Sequence, residues 1–247
     1  MKIIVLGSSA AFAGKNDGCS SYLISTHSSH FLVDTGPGCL SMLQNYIRYT
    51  DISAIFLSHL HADHVSDIYT LRYAVYVAQR DGYMRPPLPI YMPRSPGKSY
   101  RFIRTTIKKE FDIIPISEKK QVAMGDVEVT FKRTSHPVVT HAMKFQHQGK
   151  SLVYTADTGY FDQLAGFCRG ADLLIADATL QNSDRQLEAM GHMTAETAGK
   201  LAKLSEAKKL VLAHIWPEYR KYRSLEEAGT VFDGDAELAS RGLELTL

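Results

Sequence analysis

Cysteine is scarce in this chain: Cys19, Cys39 and Cys168 are the only three, they lie far apart, and no two share Cys-x-x-Cys spacing. An odd, scattered set does not make a disulfide framework, and a reducing cytoplasm is the expected location. Long apolar runs are missing too. No stretch approaches the roughly 18 residues of a membrane span, so no membrane partner is expected. Lys2, the run Ile3 to Leu6 and Ala11-Phe12-Ala13 give the outline of a secretory signal, but the run is too short for a signal core. It reads instead as a first buried strand entering a Gly/Ser turn. An excess of one charge is also lacking. The 28 basic and 26 acidic side chains leave a formal charge of +2, which argues against a large footprint for duplex nucleic acid and leaves room for a local basic patch. Repeats, low-complexity tracts and linkers are absent. With 45% hydrophobic and 22% charged residues, the composition suits a folded chain with a sizeable core. Its 247 residues allow one large domain or two small ones.

What the chain does have is a dense group of ligand-type side chains. In Ser58-His59-Leu60-His61-Ala62-Asp63-His64, three imidazoles and a carboxylate fall within six residues, directly after the apolar run 52–57. That run reads as a buried strand, so His59 and His61, two apart in extended backbone, point the same way beyond its end and can grip one ion. Asp63 and His64 are adjacent. Where the chain turns into the amphipathic stretch that follows, they can face a second ion. Imidazole suits zinc, manganese, iron or nickel, and added carboxylate shifts the preference towards harder ions. One ion needs more than two imidazoles, and three further candidates stand just past apolar runs downstream: His136, Asp157 and His214.

Strands are expected at 2–6, 21–25, 31–34, 52–57, 88–92, 112–116, 127–133, 142–146, 151–155, 173–176, 209–212 and 243–247. Helices are expected from Gly38 to about Tyr49 and over 66–80, 98–110, 195–204 and 225–232, with Thr194 as an N-cap and His147-Gln148-Gly149-Lys150 as a hairpin turn. Pro86, Pro87, Pro89, Pro93 and Pro96 mark a constrained surface segment. Strands in runs with helices between some of them suggest two sheets between helices.

On these residues the chain resembles the metallo-β-lactamase superfamily over nearly its whole length. The His-x-His-x-Asp-His motif matches at His59, His61, Asp63 and His64, a Val-Asp-Thr-Gly motif at Val33 to Gly36, and the third His, bridging Asp and final His at His136, Asp157 and His214. The resemblance implies an α/β fold, the four-layer αββα sandwich, as a single domain over residues 1–247. It implies two divalent ions, zinc first and manganese or iron as alternatives: His59, His61 and His136 on one, Asp63, His64 and His214 on the other, Asp157 bridging. The bridging Asp sets the chain apart from the true β-lactamases and with the hydrolases and phosphodiesterases.

Gly191-His192-Met193-Thr194-Ala195 is similar to the Gly-His-Ser-Thr motif of ribonuclease Z, the tRNA 3′-processing endonuclease, and Asp177 takes the place of that family's acidic partner. Met193 replaces the Ser and Asp177 the usual Glu. Ribonuclease Z carries a long tRNA-gripping arm between the third His and the bridging Asp, whereas here that interval is filled by a hairpin. The chain thus looks more like the compact, armless relatives that act as small phosphodiesterases. The implied reaction is hydrolysis of a small or cyclic nucleotide-type phosphodiester by a metal-bound hydroxide, oriented by Asp63, with His192, polarised by Asp177, protonating the leaving oxygen. The alternatives are tRNA processing, thioester or lactone hydrolysis, and an iron-dependent redox role. RNA is the less favoured substrate, and the relatives imply a homodimer.

Other polar residues are expected to be ordinary. His27, His30 and His147 read as solvated turn residues, and His141 as a packed or substrate-facing side chain. Asp34 should orient backbone or a ligand His. Arg80, Arg85, Arg94, Lys98 and Arg101 read as a solvated face before a phosphate-contacting lid, and Tyr69, Tyr73 and Tyr76 as packing or dimer contacts before a base-stacking platform.

Overall fold

The computed structural model describes residues 1–85 and 87–247; Pro86, the first of the proline cluster, lies outside the described residues. Two compact units separate along the chain, residues 1–116 with 240–246, and residues 117–239 with Leu247. Each is built on one seven-stranded sheet.

In the first unit, β2 (Ser21–Ser25) runs antiparallel to both β1 (Lys2–Gly7) and β3 (His30–Val33), between which it lies. From β3 the pairing turns parallel, through β4 (Ala54–Phe56), β5 (Leu88–Met92) and β6 (Phe111–Pro115). Parallel neighbours need crossovers. These carry α1 (Cys39–Leu43), then α2 (Ala62–Val65) with α3 (Ile68–Arg80), then α4 (Gly97–Ile107). Ile68, Leu71, Val75 and Ala78 recur at helical spacing on α3 and join Ile103 and Ile107 of α4 in one core cluster with Leu32, Ile55 and Ile90. Each such aliphatic, fully buried, contributes about 1.5–3 kcal/mol. The helix expected to reach Tyr49 stops at Leu43, and the backbone goes on in tighter turns, Asn45 N donating to Met42 O at 3.1 Å and Tyr46 N to Leu43 O at 3.0 Å.

The second unit repeats the plan. Antiparallel β7 (Gln121–Met124), β8 (Val127–Arg133), β9 (His141–His147) and β10 (Lys150–Tyr154) lead into parallel β11 (Leu173–Asp177), β12 (Lys209–Ala213) and β13 (Asp235–Leu238). The crossovers are α5 (Asp162–Cys168), α6 (Ala195–Leu204) and α7 (Lys221–Gly229). β13 escapes a periodicity reading because it is an edge strand whose side chains are half-buried or exposed; Lys209 holds it through Asp235 and Glu237. The chain ends on β14 (Glu244–Thr246), which returns to β1 in the first unit.

The β9–β10 turn is tighter than expected. Gln148 (φ 50°) and Gly149 (φ 74°) alone form it, as a two-residue hairpin loop with both residues left-handed requires. His147 therefore still belongs to β9. It is buried and pairs with Asp126 at 2.7 Å, which corrects the expectation of a solvated turn residue. His30 is half-buried and bonds Ser25 Oγ at 2.9 Å, whereas His27 is exposed as expected.

Thr194 is the N-cap of α6, its hydroxyl accepting from Thr197 N at 3.1 Å. Replacing it with alanine is expected to cost about 1–2 kcal/mol. A thermal melt lowered by a few degrees is the check, and an unmoved midpoint would show that the cap contributes nothing.

Candidate metal centre

Each unit holds its own set of ligand-type side chains, and each set stands at the carboxyl ends of parallel strands, where helix-linked sheets open a crevice. In the first unit Val33 of β3 pairs with Phe56 of β4, so Asp34 and the segment 57–61 leave the sheet side by side. Leu60 turns into the core, and in extended backbone His59 and His61 then share the opposite side. Their rings meet edge to face at 4.6 Å between centroids, with His59 Nε2 3.0 Å from His61 Nδ1. His64, on α2, brings its ring to 4.1 Å from that of His59, and its Nε2 lies 3.6 Å from Asp63 Oδ2. Asp63 Oδ2 also accepts from Ala11 N at 3.1 Å.

Behind these groups sits Asp34, fully buried and left-handed at φ 54°. Its Oδ1 accepts from Ser58 N at 2.7 Å, and its Oδ2 from Ser58 Oγ and His64 Nδ1, each at 2.8 Å. These bonds fix the ring protons. The Ser58 hydroxyl spends its one hydrogen on Asp34, so at 3.0 Å it accepts from His59 Nδ1. His59 and His64 are thereby both set to carry the proton on Nδ1 and the lone pair on Nε2, the form in which imidazole binds a metal.

In the second unit Asp177 of β11 pairs with Ala213 of β12, which places Asp177 beside His214. Ala156 (φ 52°) and His214 (φ 55°) are left-handed like Asp34. Such non-glycine residues cost about 1–3 kcal/mol each and persist only where their surroundings over-determine them. His136 follows β8 in a loop tied to the end of β10: Thr134 Oγ1 donates to Asp157 O at 2.9 Å, and Gly159 N to Ser135 O at 2.9 Å. His136 Nδ1 donates to the Gly191 carbonyl at 3.0 Å, and its Nε2 lies 3.9 Å from Asp157 Oδ2. Burial pushes the His136 pKa down, against the pull of Asp157, which favours the neutral imidazole a metal takes.

Thr179, absent from the sequence reading, joins the rest. Its hydroxyl donates to Asp177 Oδ1 at 2.7 Å and so accepts from His214 Nδ1 at 2.8 Å. Asp177 Oδ2 takes His192 Nδ1 at 2.9 Å and Thr158 N at 3.0 Å. Asp157, His192 and His214 offer ligand atoms within 4.8 Å of one another. The signal for Thr179 was a hydroxyl two residues past an acidic strand end. His141, by contrast, starts β9 opposite Arg133 and is buried, its pKa pushed down to about 4 by desolvation and by Arg133.

The donor sets fit divalent metal. Imidazole nitrogens and carboxylate oxygens converge, and the outer nitrogens of His59, His64, His136 and His214 are each held by an oxygen that fixes the tautomer, as metal-binding histidines require. Gly36 shows how little slack exists: a Cβ there would lie 2.2 Å from Asp63 O. Gly36→Ala is therefore expected to displace the Asp63 backbone and weaken metal binding at least ten-fold, read by titration with a chromophoric chelator. Unchanged affinity would show that the contact constrains nothing.

Comparison with known proteins places this geometry. Residues 29–215 match the family model described as a beta-lactamase superfamily domain. The probable metallo-hydrolase YhfI of Bacillus subtilis (strain 168) is 34% identical over 243 residues, covering 98% of both chains. Its crystal structure, described as a metallo-beta-lactamase fold protein, matches with a TM-score of 0.93 at 32% identity over 99% of this chain and 98% of that one. Ribonuclease Z of Metallosphaera sedula is 25% identical over 282 residues, 94% of each chain. A diphosphatase of the PhnP family matches with a TM-score of 0.78 at 19% identity, over 100% of this chain and 97% of that one, a likeness of fold alone.

Proposed function

This chain belongs to the β-lactamase superfamily, as a metallo-hydrolase with the metallo-β-lactamase fold, and from that premise we propose that it hydrolyses a small or cyclic nucleotide-type phosphodiester. The observation that carries the phosphoester is His192. Its Nδ1 is committed to Asp177, a buried carboxylate that also accepts from Thr158 N, Thr179 N and Thr179 Oγ1. An imidazole fixed in this way and partly open to solvent presents Nε2 as its working atom. A proton held there can be delivered to a leaving alkoxide, which a phosphodiester needs and an activated thioester does not.

In this reading His59, His61 and His136 would hold one divalent ion, Asp63, His64 and His214 would hold a second, and Asp157 would serve both, with zinc the first choice and manganese or iron the alternatives. Their chemistry there would be to lower the pKa of water and to offset the charge that accumulates on the phosphoryl oxygens. Asp63 positions the attacking water by accepting its hydrogen. Asp34 and Thr179 keep the ligand rings in one orientation. The β9–β10 hairpin fills the interval in which ribonuclease Z carries its arm, so transfer RNA is not the substrate proposed.

The test is a screen of the purified protein at defined metal content against bis-p-nitrophenyl phosphate, cyclic nucleotides, thioesters and precursor tRNA. Turnover of the diesters, cyclic nucleotides among them, is expected. Turnover of thioesters alone would sink the proposal.

A further inference from the structure

The charge of this chain is not evenly spread. Residues 68–110 carry nine basic and two acidic side chains, which leaves 19 basic and 24 acidic for all the rest. A segment of net +7 thus sits in a chain whose remainder is −5. Two of its arginines are neutralised locally, Arg72 by Glu110 at 3.1 Å and Arg80 by Asp81 at 2.7 Å. On α4 and just past its end, no ion pair holds Lys98, Arg101, Arg104, Lys108 or Lys109 among the described residues, and all five are exposed.

Aromatic rings lie among these cations. Tyr69, Tyr73, Tyr76 and Arg80 fall at i, i+4, i+7 and i+11, a stripe on the face of α3 opposite Ile68, Leu71, Val75 and Ala78. Tyr69 is half-buried against the core cluster, in line with the packing expected of it, whereas Tyr73 is 64% and Tyr76 49% exposed, so packing does not extend to these two. Phe102 of α4, 65% exposed, meets Tyr69 at 5.9 Å between ring centroids and joins the two helices into one surface. From Tyr69 to Arg80 the stripe runs about 16 Å along the axis. It starts just past the ligand loop of the same unit, since α3 opens four residues after His64.

We propose that the α3–α4 face, with Tyr73, Tyr76 and Phe102 as stacking surfaces and Arg101, Lys108 and Lys109 as phosphate contacts, binds a short single-stranded oligonucleotide. Exposed rings of no fixed hydrogen-bonding pattern accept any base on their faces, and flanking cations track the backbone. A second copy of the chain is a poor occupant, because two faces that each carry Lys98, Arg101, Arg104, Lys108 and Lys109 without ion-pair partners among the described residues repel. The inference extends the phosphodiester reading to a substrate class, and its test reads binding apart from turnover, so either can fail alone.

The probe is a fluorescein-labelled octamer of adenylate, titrated by anisotropy with the full-length, metal-loaded protein from 50 to 200 mM salt, its length checked on a gel afterwards. Wild type is expected to bind with strong salt dependence. Tyr73→Ala/Tyr76→Ala should weaken binding ten-fold or more. Arg101→Gln/Lys108→Gln should reduce the slope of log K against log salt by about 1.4, at roughly 0.7 per phosphate contact. All four positions are at the surface, so unchanged melting temperatures are expected. Binding that is undetectable at 50 mM salt, or equal in wild type and both variants, overturns the proposal. So does sedimentation with phosphatidylserine vesicles in place of oligonucleotide binding, or a dimer in light scattering that the double tyrosine variant dissociates.

Discussion

His64→Ala is expected to leave the purified protein without its full metal content and to reduce hydrolysis of bis-p-nitrophenyl phosphate by at least a thousand-fold. The imidazole is fully buried, and the variant removes two things at once. One is the Nε2 lone pair beside Asp63. The other is the partner of Asp34, whose Oδ2 loses its 2.8 Å bond to His64 Nδ1 while staying buried. A buried polar group stripped of a partner costs about 1–3 kcal/mol, and more when charged, so the metal-free variant should also melt earlier than metal-free wild type. Asp34→Asn separates the effects: it keeps the ligand and weakens its orientation, and loss of such a partner typically lowers metal affinity about 10–100-fold. Elemental analysis after dialysis, beside initial rates, makes the measurement. Full metal content and full rate in His64→Ala would remove His64 from the ligand set.

The positions of the candidate ligand residues were legible because strand ends were. An apolar run such as Leu210-Val211-Leu212 announces a buried strand, and a histidine two residues past it stands at the sheet edge whatever the details of the turn. Alternation placed His59 and His61 on one side for the same reason, with Leu60 as the inward residue between them. Thr179 and Ser58 were not legible. Their importance lies in which oxygen donates and which accepts, and that depends on how Asp177 folds back onto Thr179 at the end of its own strand and on the approach of Asp34 to Ser58 from the neighbouring strand. The edge strand β13 was missed because none of its residues is fully buried, and the end of α1 because the chain passes there into turns that no change of hydrophobic period marks. The tyrosine stripe had the right period and no indication of side. Only the burial of Ile68, Leu71, Val75 and Ala78 opposite shows that it faces outward.

His192→Ala is expected to keep its metal and lose turnover, by about 10²–10⁴-fold, the usual range for a positioned general acid. The size of the loss should depend on the leaving group. p-Nitrophenolate departs readily without a proton, so bis-p-nitrophenyl phosphate should be cut with the smaller deficit, whereas an unactivated nucleoside alkoxide should show the larger. Asp177→Asn should reproduce that dependence in weaker form, because it leaves the imidazole in place and changes what holds Nδ1. An equal deficit across leaving groups would deny His192 the role of proton donor. Loss of metal would assign it differently again: with Asp157 and His214 it offers ligand atoms within 4.8 Å, so distance alone admits it as a ligand. What favours the acid is the surroundings. His214 is buried with Nδ1 held by a hydroxyl, whereas His192 is partly open to solvent with Nδ1 held by the Asp177 carboxylate, the kind of partner that orients a general acid.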